Sequence, residues 1–137
     1  LLRSVTFTTR HGLRVILEGG DWPIAAQQMI EDATEATVDA WTDAGIIPTR
    51  AIAGAFVTFT REVFTLGTSR VYRCQGVLFR DSDTKRMQVV WHDPVTSSAL
   101  GHEPGHLILR ESGLAWEEPA LAIWADRTKD SANPIPY

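Results

Sequence analysis

Residues 97–113 read SSALGHEPGHLILRESG, with His102 and His106 four positions apart and Glu103 directly after the first histidine. On an α-helix, a spacing of four returns to nearly the same direction, offset by about 40° and by roughly 6 Å along the axis. Both imidazoles would then project from one face and could reach a single metal ion at about 2.0–2.1 Å. Glu103, one step around, would stand beside the ion's water without ligating it. There it would act as general base, taking a proton from the water and returning it to the leaving group. The ion would lower the pKa of that water and polarise the carbonyl under attack.

A catalytic zinc ion takes three protein ligands and keeps one position open. Glu111, nine residues past His102, falls about 180° around the same helix and faces away. Ser112 stands six residues after His106, where some metal-binding motifs carry a third histidine. His92 and Asp93 end a strand shortly before the motif and stay in contention. Glu118 and Glu117 are the better placed. They follow the Ser112–Gly113 break and open the next helical stretch, so a chain reversal can carry a carboxylate back over the first helix. Glu118, just ahead of Pro119, is slightly preferred.

The elements that must position these residues follow from local pattern. SVTFTT and LRVILEG have strand character, with RHG as the turn between them. DWPIAAQQMIEDATEATVDAWTDAG predicts a long helix, with Asp21 as cap, Pro23 in the first turn and Gly45 at the end. Ile30, Ala33, Val38 and Trp41 recur at helical spacing and give that helix a face to lay on a sheet. AIAGAFVTFT, VYRCQGVLFR and RMQVVWHD predict three more strands, the last two joined as a hairpin by DSDTK. The motif segment and the helical stretch PALAIWADRTK complete an α+β domain spanning residues 1–137.

Pro104 bears on whether the motif is helical at all. A helix beginning near Ser97 or Ser98 places Pro104 one to two turns in. Its missing N–H and crowded ring there cost on the order of 3 kcal/mol, and Gly105 adds about 1 kcal/mol. A helix beginning at Pro104 avoids that cost but leaves His102 outside. The first arrangement is favoured, because zinc binding at about 10 kcal/mol or more can offset it.

ALGHEPGHLIL resembles the active-site helix of zincin metallopeptidases. WEEPALAIWAD resembles the glutamate-bearing helix of the gluzincins among them. The resemblance covers about 30 residues closely and the rest by order of elements alone. It implies a zincin-like fold: a twisted mixed sheet with a long backing helix, an active-site helix beneath it, and a C-terminal glutamate helix. It implies a zinc-dependent peptidase acting on peptide or protein substrates, with His102, His106 and Glu118 or Glu117 as metal ligands and Glu103 as the catalytic base. It also implies that RMQVVWHD lines the cleft, where substrate could add as a further strand. The gap from His106 to either glutamate is shorter than many gluzincins use. A zincin-fold binding or regulatory protein with impaired catalysis is the alternative that Pro104 raises.

The remaining composition narrows the field. A net charge of −4 with no Lys/Arg run gives no attraction for nucleic acid. The longest apolar runs fall short of the roughly 20 residues of a membrane span. Cys74 is alone, which excludes an internal disulfide and a multi-cysteine zinc site. The chain opens LLRS without methionine, so a targeting signal can already have been removed, and a soluble protein of either the cytoplasm or the exterior is expected. The five tryptophans read as packing, His11 as a turn residue, and Glu31, Asp32, Glu35 and Asp39 as the solvated face of the long helix. The extended tail ANPIPY could lie in the cleft as an inhibitor.

Overall fold

The structure, a computed structural model, describes residues 4–62, 64–66, 72–74, 76–79, 84–91 and 97–128. His92, Asp93, most of the DSDTK turn and the ANPIPY tail lie outside them.

Alternating apolar residues build the main sheet. In β2 (Arg14–Glu18), Val15 and Leu17 are buried while Arg14 and Glu18 are exposed. β3 (Phe56–Thr60) repeats the pattern with Val57 and Phe59, and β7 (Arg86–Val90) with Met87 and Val89. β1 (Ser4–Thr8) and β6 (Gly76–Leu78) flank them in the order β1-β2-β3-β7-β6. The three inner strands run parallel, and each edge strand is antiparallel to its neighbour. β4 (Phe64–Leu66) and β5 (Tyr72–Cys74) form a separate antiparallel ribbon.

Among the described residues four helices complete the α+β arrangement: α1 (Ala25–Asp43), α2 (Thr49–Ile52), α3 (Ser97–Glu111) and α4 (Glu118–Thr128). Val15, Val57 and Phe59 of the sheet meet Ile30 and Trp41 of α1, Leu107 and Ile108 of α3, and Leu121 of α4 in one buried cluster. All five tryptophans sit in this cluster or against it. α3 packs on α1, α2, α4, β6 and β7. Among the described residues no helix is long and apolar enough to cross a membrane.

Both long helices stop in the same way. At α1, the Gly45 N–H donates to the Thr42 carbonyl and the Ile46 N–H to the Trp41 carbonyl; at α3, Gly113 donates to Arg110 and Leu114 to Leu109. Each glycine has a left-handed φ, 91° at Gly45 and 73° at Gly113, as this helix-terminating motif requires.

Several expectations need correction. α1 is preceded by Ile24 with no side-chain cap, and Pro23 lies ahead of the first turn, its carbonyl accepting from the Ala26 N–H. Asp21 does not cap it; the Asp21 carbonyl accepts instead from Arg61. AIAGAFVTFT is not one strand, because Ala51 and Ile52 belong to α2; short apolar runs do not distinguish buried strand from buried helix. VYRCQGVLFR contributes to two sheets, β5 to the ribbon and β6 to the main one. RMQVVWHD does not line a cleft edge. Its strand, β7, pairs with β3 on one side and β6 on the other, so β6 is the edge. Two of the four acids expected on a solvated face do more: Glu31 accepts from the Arg10 N–H, and Glu35 pairs with Arg10 and His11 in the β1–β2 turn.

Candidate metal centre

α3 is continuous through the motif, with Pro104 inside it, so the four-residue spacing is a helical one. His102 and His106 are 1% and 5% exposed, their ring centroids 5.0 Å apart. Pro104 falls about 180° from the midline between the two histidines. It lines a small enclosed space with Ile30, Ala33 and Thr34 of α1. The proline's crowding is therefore spent on the α1 side of the helix, away from the imidazoles.

The third group arrives by chain reversal. After Gly113 the backbone turns, and α4 is anchored by Leu121 in the core and by Trp124 against Trp41, ring centroids 5.7 Å apart. Its first residue, Glu118, then lies over α3. Glu118 Oε1 is 3.0 Å from His102 Nε2 and 2.8 Å from His106 Nε2. Among the described residues, His102, His106 and Glu118 are the group whose ligand atoms converge as a metal site requires. Glu117 is not in that group and lines the adjoining cleft. Glu111 is exposed, beside Arg110, as its position around the helix predicts.

His106 Nδ1 lies 2.5 Å from the Trp116 carbonyl. A carbonyl only accepts, so Nδ1 carries the proton and donates. Neutral His106 then has its lone pair on Nε2, aimed at a carboxylate oxygen. Two electron-rich atoms that close need a cation between them: a proton, making the ring an imidazolium, or a metal ion. Nδ1–H held by a backbone carbonyl is the outer contact that orients metal-ligating histidines. In a tetrahedral zinc site ligand atoms sit about 3.3 Å apart, for bond lengths of about 2.0–2.1 Å. The two Glu118 spacings need only a small expansion to reach this, and all three ligand atoms lie within 4.8 Å of one another, so the donor set fits a divalent ion.

Burial pushes the Glu118 carboxyl up, but hydrogen bonds from His102 and His106, and their charge, outweigh it and hold the group below the usual carboxylate range. The first turn of α4 also favours an anion at this end. Glu103 is 3% exposed, with Oε2 3.7 Å from His102 Nε2. It flanks the convergence point, one step around α3 toward β6.

A cleft of about 300 Å³ opens beside these groups, between β6 on one side and Trp116, Glu117 and Pro119 on the other, with Glu103 and His106 on its floor. The Phe79 N–H donates to the Arg86 carbonyl of β7. Because hydrogen-bonding direction alternates in antiparallel pairs, Val77 also faces β7, while the backbone groups of Gly76 and Leu78 point out from the sheet. The edge is held down by Arg110 of α3, whose Nη1 and Nη2 donate to the Phe79 and Thr84 carbonyls at 3.0 and 3.2 Å.

Three contributors escaped the sequence reading. The Trp116 carbonyl is backbone, which residue types do not reveal. Arg110 reads as an ordinary last-turn cation. Gly76 did leave a signal, since a glycine inside a strand often marks close approach of another group.

No family model, curated protein or solved structure matches the chain. The functional reading therefore rests on the site and its chemistry.

Proposed function

We propose that the chain is a small zinc-dependent peptidase with a zincin-like, gluzincin-type site. The observation that carries this reading is the convergence of His102 Nε2, His106 Nε2 and Glu118 Oε1, with the Glu103 carboxylate alongside. Two imidazoles and one carboxylate with a fourth position open form the donor set of catalytic zinc in peptidases. The same set also serves non-haem iron, but an adjacent buried carboxylate outside the ligand set is what hydrolysis needs and oxygen chemistry does not.

Zinc held there supplies Lewis acidity to a water and to the scissile carbonyl. The chain's own residues do the rest. The outward backbone groups of Gly76 and Leu78 can pair with an extended peptide, laying it across the cleft as an added strand. Glu103 accepts a proton from the attacking water at its carboxylate and delivers it to the departing amine nitrogen. The Trp116 carbonyl holds the His106 ring in the tautomer that leaves Nε2 free for the ion.

The test is metal content and proteolysis on protein purified without chelators. About one zinc per chain is expected, lost in His102→Ala, together with casein cleavage that a chelator stops and added zinc restores. Glu103→Gln is expected to keep zinc and to lower kcat by roughly 100- to 10,000-fold. Stoichiometric zinc without cleavage would mark a metal-holding module that does not catalyse. A chain without zinc would remove the metal reading entirely.

A further inference from the structure

The glycine of β6 stands apart from the turn glycines. Gly12, Gly20, Gly45, Gly54 and Gly113 have left-handed φ values, so their backbone conformation calls for glycine; Gly76 does not, and its conformation is open to any residue. What excludes a side chain at 76 is space. A Cβ there would lie 2.9 Å from Glu103 Oε2 and 3.2 Å from both Cδ and Cγ of Glu103. A glycine within a strand weakens it by forgoing cross-strand packing. At this position the missing atom is the room that the Glu103 side chain occupies.

Resting on the peptidase reading, we infer that Gly76 is a positioning residue for the catalytic base: by lacking a side chain, the edge strand fixes where the Glu103 carboxylate sits. Strand alternation puts the Gly76 Cα on the same face as buried Leu78, the face turned to α3. The edge therefore has two jobs at one residue. Its outward N–H and C=O can hold a substrate backbone, and its bare Cα makes the wall against which the base rests. A peptide bond aligned on β6 is then delivered in register with the proton acceptor, because both are referred to the same strand.

The obstruction at 76 is met first by the end of a flexible side chain, not by backbone. Gly76→Ala should therefore leave the fold standing and swing the Glu103 carboxylate away from β6. The three atoms nearest the added carbon all belong to Glu103, so the change falls first on the base and not on the metal ligands.

The experiment compares the wild-type chain with Gly76→Ala in three ways. These are zinc affinity by competition with a chelating dye, kcat and KM on a quenched-fluorescent peptide, and a crystal structure of the variant. Zinc affinity and KM should stay within a few-fold. A displacement of about 1 Å in a reacting group lowers rate on the order of 100-fold, so kcat should fall by that order, with the carboxylate visibly moved. An unchanged kcat, or a loss of zinc or fold together with kcat, overturns the role of Gly76 and leaves the peptidase reading intact. A wild-type chain that binds zinc and cleaves nothing overturns that reading, and the role of Gly76 falls with it.

Discussion

Helix α1 buries Ala26, Ile30, Ala33, Val38 and Trp41 along one side and leaves Gln27, Gln28 and Asp32 in solvent; α3 is buried at every position from 100 to 109, three of them His102, Glu103 and His106. α1 is an amphipathic helix whose own pattern accounts for its place. Where it turns polar groups inward, the hydroxyls bond back to its own carbonyls, Thr34 to Ile30 and Thr37 to Ala33, so the surface offered to α3 is effectively apolar. α3 buries ionisable groups and carries a proline and a glycine mid-course, each unfavourable in isolation. Its geometry is held from outside, by the five elements packed around it. The helix that carries the histidine pair takes its stability from its neighbours, while the helix that builds the core brings its own.

That contrast is most exposed at Arg110. Its guanidinium joins the end of α3 to the Phe79 and Thr84 carbonyls and lies 5.7 Å from the Trp116 ring, so one side chain ties α3 to the cleft edge and to the Trp116 segment. Hydrogen bonds from a charged donor contribute about 1.5–3 kcal/mol each. Arg110→Ala should therefore lower stability by about 3 kcal/mol or more in urea unfolding of the zinc-free chain and reduce kcat/KM as β6 loosens. Gln28→Ala, on the open face of α1, should stay within about 0.5 kcal/mol. Equal effects at the two sites would break the comparison.

The same contrast explains what could be read from residue order. The histidine pair was legible because a spacing of four maps onto one helical face whatever surrounds it, and the two glycine stops were legible because their motif is local. Preferring Glu118 over Glu117 needed only a helix start that proved correct to within one residue. Strand order was not legible. β6 and β7 form a recognisable hairpin, but which one lies at the edge depends on β3 pairing with β7 from 30 residues away in the chain. The short α2 was hidden in an apolar run that suits either state. The contacts that support α3 from outside were hidden too, because they join a helix to backbone carbonyls that no residue type announces.

Pro104 sharpens the comparison from within α3. Replacing it with alanine restores an N–H for the Leu100 carbonyl and removes ring crowding worth about 3 kcal/mol. It also deletes ring carbons packed toward Ile30 and Ala33, a loss of about 1–2 kcal/mol. Pro104→Ala should thus raise stability by about 1–2 kcal/mol, with zinc affinity and kcat nearly unchanged, since the position lies opposite the imidazoles. Loss of zinc in this variant would mean that the proline shapes the ligand face after all.

The smallest effect belongs to α1, at the turn it anchors. Glu35 accepts from His11 Nε2 at 2.6 Å and pairs with Arg10; these hydrogen bonds, Arg10's first and then His11's, hold its carboxyl below the ordinary value. A carboxyl lowered on folding stabilises the native state above its unfolded pKa of about 4.3, and that contribution fades as pH falls through the lower folded value. The wild type should therefore melt slightly above Glu35→Gln at pH 7, and the two curves should converge as the medium is acidified below that range. The pair is solvent-exposed, so added salt should narrow the gap at pH 7 as well. Because the contact lies on α1, far along the chain from the motif, zinc binding at neutral pH should be the same in both chains. A Glu35→Gln chain that lost zinc would show that the helix built for the core also carries part of the site.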